Sequence, residues 1–176
     1  SHCHLSFPEL REQLPAILDA MAQSRVERAL CICTTLEEFD TVHALATAHP
    51  QLWATVGVHP DNEDVREPTL EDLLAGAARP RVVGIGETGL DYYRLNGRSV
   101  AEMAWQRDRF RVHIRAARQT DLPLVIHTRS ASDDTLAILR EEGGFSGEGK
   151  AARGVFHCFT ETSAVARAAL DLGFYI

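Results

Sequence analysis

The chain is predicted to fold as an α/β protein, a (β/α)8 barrel of the TIM type that stops after about seven strands. Short apolar runs alternate with longer amphipathic ones along all 176 residues, the signature of a parallel sheet covered by helices. The short runs are nearly continuous in apolar character, as in strands buried on both faces. Potential metal-ligating side chains close at least four of these runs. That placement suits the ring of strand ends at a barrel mouth better than a doubly wound open sheet, the competing architecture.

Taken in order, the first strand is expected over 1–4, within Ser1-His2-Cys3-His4, followed by a helix over 8–24. A strand over 28–33 precedes a helix over 36–48, and a strand over 53–58 precedes a helix over 69–78. Val82-Val83-Gly84-Ile85-Gly86-Glu87 forms the strand over 82–87. The longest helix, over 100–120, follows it. Met103, Phe110, Ile114 and Ala117 recur there at helical spacing on one face, with Arg107, Asp108, Arg111 and Arg115 elsewhere. Strands over 123–127, 154–158 and 173–176 alternate with helices over 131–142 and 162–171.

With 45% hydrophobic residues the chain can build one substantial core, so a single domain over 1–176 is expected. A complete barrel of this kind needs about 250 residues. A chain ending at Phe174-Tyr175-Ile176 is therefore expected to lack the last strand and its helices. The 25 acidic and 18 basic side chains give a net charge of −7, which excludes a protein that coats nucleic acid electrostatically. A phosphate held by metal and a few local arginines is still compatible with that charge. Cys3, Cys31, Cys33 and Cys158 all fall in expected strands and read as small buried packers in a reducing compartment. No apolar run approaches the roughly 18 residues of a spanning helix and no signal peptide opens the chain, so a cytoplasmic, soluble monomer without membrane contact is expected.

The chemistry is carried by residues at run ends. His2 and His4 are two apart, so in a strand both imidazoles leave one face. Glu87 follows a glycine-flanked strand, where a carboxylate has no packing role and its unpaired burial would cost several kcal/mol. His127 follows Leu124-Val125-Ile126, and His157 follows Val155-Phe156. Donors of this type, converging from distant runs, point to a divalent metal centre for hydrolysis. Asp91, Tyr92 and Tyr93 read as loop residues, Asp91 capping a turn. His113, inside the longest helix, reads as a hydrogen-bonded structural histidine; His43 and His49 read as solvated or capping.

Ser1-His2-Cys3-His4-Leu5, Gly57-Val58-His59-Pro60, Gly86-Glu87-Thr88-Gly89-Leu90-Asp91-Tyr92-Tyr93, Ile126-His127-Thr128-Arg129 and Phe156-His157-Cys158-Phe159-Thr160-Glu161 together resemble the TatD-type deoxyribonucleases, a branch of the metal-dependent hydrolases. The resemblance runs from Ser1 to Ile176 in order. It implies a distorted TIM barrel with two divalent ions at the strand C-terminal mouth. His2 and His4 would hold the first, Glu87 would bridge, and His127 with His157 would hold the second. It further implies an aspartate closing an eighth strand. These residues contain no counterpart, since Asp171 belongs to the preceding expected helix.

The implied activity is Mg²⁺- or Mn²⁺-dependent hydrolysis of DNA phosphodiesters, as a 3′-5′ exonuclease on short or single-stranded substrates; Zn²⁺ or Ni²⁺ also suits the donors. His59 is a candidate to donate to a phosphate oxygen or shuttle a proton. Arg94 and Arg129 are candidate phosphate clamps, and Tyr93 a candidate base-stacking surface. Two alternatives stay open. One is a hydrolase of the wider superfamily acting on an ester, lactone or amide, although the lysine-bridged branch is disfavoured because the only lysine, Lys150, sits in a glycine-rich loop. The other is a non-catalytic metal-binding or scaffold protein.

Overall fold

The computed structural model describes residues 2–147 and 149–176, so Ser1 of the first expected strand lies outside the described residues. Six parallel strands form one sheet in the order of the chain: β1 (His2–Cys3), β2 (Ala29–Cys31), β3 (Leu52–Val56), β4 (Val82–Asp91), β5 (Leu124–Arg129) and β6 (Gly154–Phe156). Between them run α1 (Pro8–Arg11), α2 (Leu14–Gln23), α3 (Phe39–Ala48), α4 (Leu70–Ala77), α5 (Ala104–Thr120) and α6 (Ser132–Glu142), with α7 (Ser163–Asp171) after β6. Each crossover returns to the neighbouring position, so the order never reverses as it does in a doubly wound sheet. The sheet is curled: the rings of His2, from β1, and His157, just after β6, stack at 4.0 Å and 12°. Its first and last strands thus meet at their C-terminal ends, and the architecture is an arc of a TIM-like barrel flanked by helices.

Several expected elements change. The helix over 8–24 is two helices, because Pro15 lacks an N–H and restricts the residue before it. The strand over 173–176 reduces to one bridge, Tyr175 to Val155, closed by Phe156 N–H to Tyr175 O at 2.9 Å and Tyr175 N–H to Gly154 O at 2.9 Å. β2 ends at Cys31, before Cys33. Cys33 is nonetheless buried, donates to Thr35 O at 3.0 Å, and has its thiol pushed up to about 12 by burial. Cys158 is a correction: it is exposed, since β6 stops at Phe156 and the chain turns with Cys158 at φ 47°, so strand alternation no longer applies. Cys3 is only half-buried, and all four thiols are free. His43 is also corrected. It is buried against Pro80 O at 2.9 Å and Arg79 Nη2 at 2.8 Å rather than solvated, while His49 sits at the C-terminal cap of α3.

β4 is longer than expected and carries the site. Ile85 faces Leu124 on β5 but Thr88 faces Ile126, so β4 holds an extra residue there, a bulge that re-aims its side chains. The glycines of this stretch answer to close approach. A Cβ on Gly86 (φ +135°) would lie 2.7 Å from Val125 O, and one on Gly89 (φ +131°) 1.9 Å from His127 O. Glu87, within the bulge, and Asp91, beyond it, both reach His127 and so face the same side of the sheet.

Helix α5 packs across β4 as its apolar spacing predicts: Phe110 and Ile114 are fully buried and Ala117 nearly so, with Met103 in the 3₁₀ turn just before it. Burying a side chain the size of Phe110 stabilises by roughly 1.5–3 kcal/mol. The same face also carries buried Gln106, Arg109 and His113. His113 Nδ1–H donates to Arg109 O at 2.8 Å and Nε2 accepts from Val58 N–H at 3.0 Å, which fixes a neutral ring. Burial lowers its pKa from 6.5 to about 4. Unfolded, the ring takes a proton near 6.5, and folded only near 4. Across that window the unfolded chain binds more protons, so this group's contribution is complete above the window and falls as pH drops through it, by roughly 3 kcal/mol in all. Urea unfolding at pH 7 and pH 4.5 is expected to show a smaller acid loss in His113→Gln than in the parent; equal losses would refute the assignment.

Candidate metal centre

Glu87 stands at the centre of the mouth, 3% exposed, with imidazoles around both carboxylate oxygens. Facing Oε2 are His2 Nε2 at 3.2 Å and His4 Nε2 at 4.0 Å. Facing Oε1 are His157 Nε2 at 2.8 Å, His127 Nδ1 at 3.3 Å and His59 Nε2 at 3.5 Å. Burial acts to raise the Glu87 pKa, but hydrogen bonds from His127, His157, His2 and His59 outweigh it and hold the carboxyl well below the usual range. The group is a buried anion.

The strands explain the convergence. His2 and His4 leave one face of the first strand segment, and their Nε2 atoms meet at 3.2 Å. His127 lies on β5 directly opposite Gly89, while His157 follows the last residue of β6. His59 is three residues beyond β3. Burial, then the neighbouring His2, lowers the His4 pKa and so favours its neutral, lone-pair form. His127 goes the other way: burial acts to lower it, but bonds to Asp91 and Glu87 push it up to about 9. Those two anions therefore stabilise positive charge at this ring.

The donor set fits divalent cations. Nitrogens and carboxylate oxygens of His2, Glu87 and His157 lie within 4.8 Å of one another, as do those of His59, Glu87 and His127. The facing Nε2 atoms of His2 and His4 at 3.2 Å, beside a buried carboxylate, are what a cation would draw together. The Nδ1 atoms of both rings are buried without a hydrogen-bond partner.

Of the substrate-binding candidates, Tyr93 and Arg129 come together: the guanidinium lies 3.6 Å over the Tyr93 ring. Arg129 is two residues beyond His127 on β5, so it shares that strand face. Arg94 is exposed on the following loop and makes no hydrogen bond or ion pair among the described residues. A cavity of about 270 Å³ opens beside Glu87, lined by His4, Phe7, Thr34, His59, Asn62 and His157.

Asp91 was expected to cap a turn. It does accept Tyr93 N–H at 2.8 Å, but it ends β4, is 6% exposed, and its Oδ2 accepts His127 Nε2–H at 2.9 Å. Gln106 of α5 grips its backbone, Asp91 N–H to Oε1 at 2.9 Å and Nε2 to Asp91 O at 3.1 Å. The sequence signal was the two-residue step Glu87, Gly89, Asp91, obscured by glycines that read as loop. With its Nε2–H engaged by a carboxylate, His127 turns Nδ1 to the centre, the arrangement that orients a metal-ligating imidazole. Asp91→Asn cannot accept from both Tyr93 and His127 equally and removes the charge. It is expected to weaken Zn²⁺ or Mn²⁺ binding by roughly 10- to 100-fold, read by competition against a chromophoric chelator; unchanged affinity would remove Asp91 from the centre.

Known proteins similar to this chain include metal-dependent hydrolases. YcfH of Escherichia coli (strain K12), named an uncharacterized metal-dependent hydrolase, is 39% identical over 100% of this chain and 64% of its own. TatD of Citrobacter rodentium (strain ICC168), named a 3′-5′ ssDNA/RNA exonuclease, is 35% identical over 81% of this chain and 51% of its own. The crystal structure of YJJV, a TatD homologue from Escherichia coli K12, matches with a TM-score of 0.82 and 28% identity, over 99% of this chain and 64% of that one. The chain thus spans about 64% of the length of relatives such as YcfH. The family model described as TatD related DNase matches residues 1–176, and the chain belongs to that family of metal-dependent hydrolases.

Proposed function

We propose that the protein hydrolyses phosphodiester bonds of single-stranded nucleic acid, DNA foremost, from the 3′ end. The observation that carries this is the ring of imidazole nitrogens around the two oxygens of Glu87. The polarity follows the name of the Citrobacter relative, and the activity is proposed for the whole protein. In this reading His2 and His4 with Glu87 would hold one divalent ion, and His127 and His157, sharing Glu87, would hold a second. Mg²⁺ or Mn²⁺ are the ions in use, with Zn²⁺ or Ni²⁺ also suited to the donors. When bound, the pair would lower the pKa of a coordinated water and offset negative charge on the phosphate.

The chain's own residues supply the rest. His59 Nδ1 accepts Asp61 N–H at 3.1 Å, so the neutral ring carries its proton on Nε2, facing the cavity and Glu87. It therefore donates to a phosphate oxygen or to the leaving oxygen. Arg129, stacked on Tyr93 beside His127, places a cation and an aromatic face where the strand leaves the centre. Arg94, on the adjoining loop, adds a second cation for the phosphate backbone. The net charge of −7 favours short and terminal substrates over a long duplex footprint.

The lysine-bridged hydrolases of the wider superfamily fit less well. Lys150 is exposed and paired with Asp121 at 2.7 Å, and Glu87 already occupies the bridging place. Glu87→Ala in the whole protein, at matched Mg²⁺, is expected to abolish release of nucleotides from a labelled oligonucleotide, because both ions lose their shared anion. Near-normal turnover would refute the bridge. Inert DNA with hydrolysis of a lactone or ester would replace the substrate class.

A further inference from the structure

Among the imidazoles around Glu87, His59 stands farthest from a strand. His2 and His127 lie on β1 and β5, and His4 and His157 directly follow β1 and β6. His59 is three residues past Val56, the end of β3. Something other than the sheet must hold it. Its backbone N–H reaches Thr34 O at 2.9 Å, and Asn62 Nδ2 reaches the same oxygen at 2.8 Å.

The remaining support comes from the outer layer. Arg109 of α5 is 3% exposed. Its Nη1 donates to His59 O at 2.8 Å and to Asn62 O at 2.9 Å, spanning the turn that Asn62 N–H already closes onto His59 O at 3.2 Å. Nε reaches Glu67 Oε2 at 2.8 Å and Nη2 pairs with Glu67 Oε1, while the guanidinium lies 4.8 Å over the Trp105 ring. One helical turn on, His113 takes Val58 N–H, so α5 fastens residues 58, 59 and 62 together. The same turn supplies the Asp61 N–H that orients the His59 ring. A buried guanidinium is an expensive way to fill a helix–loop contact, and apolar residues serve packing alone at least as well. What the planar fork adds is geometry, with several acceptors fixed at once.

We propose that Arg109 is a positioning residue for His59: by locking the 59–62 turn it sets the ring against Glu87 and the substrate. The inference rests on reading the site as a hydrolytic centre in which His59 faces the scissile phosphate.

The test uses the whole protein labelled with ¹⁵N-histidine, and Arg109→Met, which keeps an apolar stem over Trp105. Two-dimensional imidazole ¹⁵N–¹H spectra, with His59 assigned from His59→Gln, are expected to show the His59 signals displaced or doubled. Those of His2, His4, His127 and His157 should stay, with bound divalent metal unchanged. On an oligonucleotide, kcat should fall roughly 10- to 100-fold at little-changed KM, with no further fall when His59→Gln is already present. Unmoved His59 signals in folded Arg109→Met would overturn the proposal. So would displacement of all five rings together, or an equal kcat loss with and without His59. If Arg109→Met does not fold, Glu67→Gln, at a carboxylate 55% exposed, should move the same His59 signals, and their constancy would overturn it. If the protein cleaves no oligonucleotide, the spectra still decide this point separately from the nuclease reading.

Discussion

The structure depends on a carboxylate that has been taken out of water. Glu87 is 3% exposed at the C-terminal rim of a sheet, and a buried anion there is tolerable only if its surroundings supply positive charge or donors. The imidazoles do so from strands separated by up to 155 residues of chain, His2 to His157. The curl of the sheet follows, since rings on the first and last strands can reach one carboxylate only if those strands approach each other. The stacking of His2 on His157 is the mark of that closure.

Holding several imidazoles close to one another is itself unfavourable unless a cation compensates, because lone pairs face lone pairs and protonated rings repel. The helix layer absorbs part of this difficulty. On α5, Gln106, Arg109 and His113 occupy the inward face among Phe110 and Ile114 and bond the backbone at Asp91, at the 59–62 turn and at Val58. Every side-chain nitrogen and oxygen of the three has a partner, so the helix contributes polar struts to the site without leaving orphaned groups in the core. The apolar residues of the same helix supply the adhesion, and the polar ones supply the aim.

This division explains what could be read from the sequence. The alternation of strand and helix and the shared face of His2 and His4 are properties of local periodicity, and they carried the fold; Glu87 and His127 were expected to close their strands, but β4 runs on to Asp91 and β5 to Arg129. Asp91 was harder to see. Gly89 looks like a loop in one dimension, and only the close passage of β4 against His127 O shows why a strand needs it. Arg109 was hidden for a different reason. Its neighbours Arg107, Asp108 and Arg111 form a charged face by spacing, and nothing local marks one arginine as the buried member that reaches residues 59 and 62 from the far side of the chain. His43 likewise looked solvated until Pro80 and Arg79 closed over it. Periodicity reports which face is apolar and is silent about which polar residue the tertiary fold will satisfy.

Proximity also overstates the likeness among the imidazoles. His59 and His127 both lie near Glu87 Oε1, at 3.5 and 3.3 Å, and distance alone would treat them as equivalent ligands. Their outer partners say otherwise. A carboxylate behind His127 accepts Nε2–H, so once the raised second proton leaves, it is Nδ1 that offers a lone pair toward the centre. A backbone N–H behind His59 occupies the lone pair of Nδ1, so the neutral ring must carry its hydrogen on Nε2, toward the centre. To ligate through Nε2, His59 would need a proton on Nδ1, opposed to the Asp61 N–H at 3.1 Å. Two rings at nearly the same distance from one oxygen are therefore held differently, one backed by a carboxylate and one by a backbone N–H, and in the proposed reading the first would give an electron pair and the second a hydrogen bond.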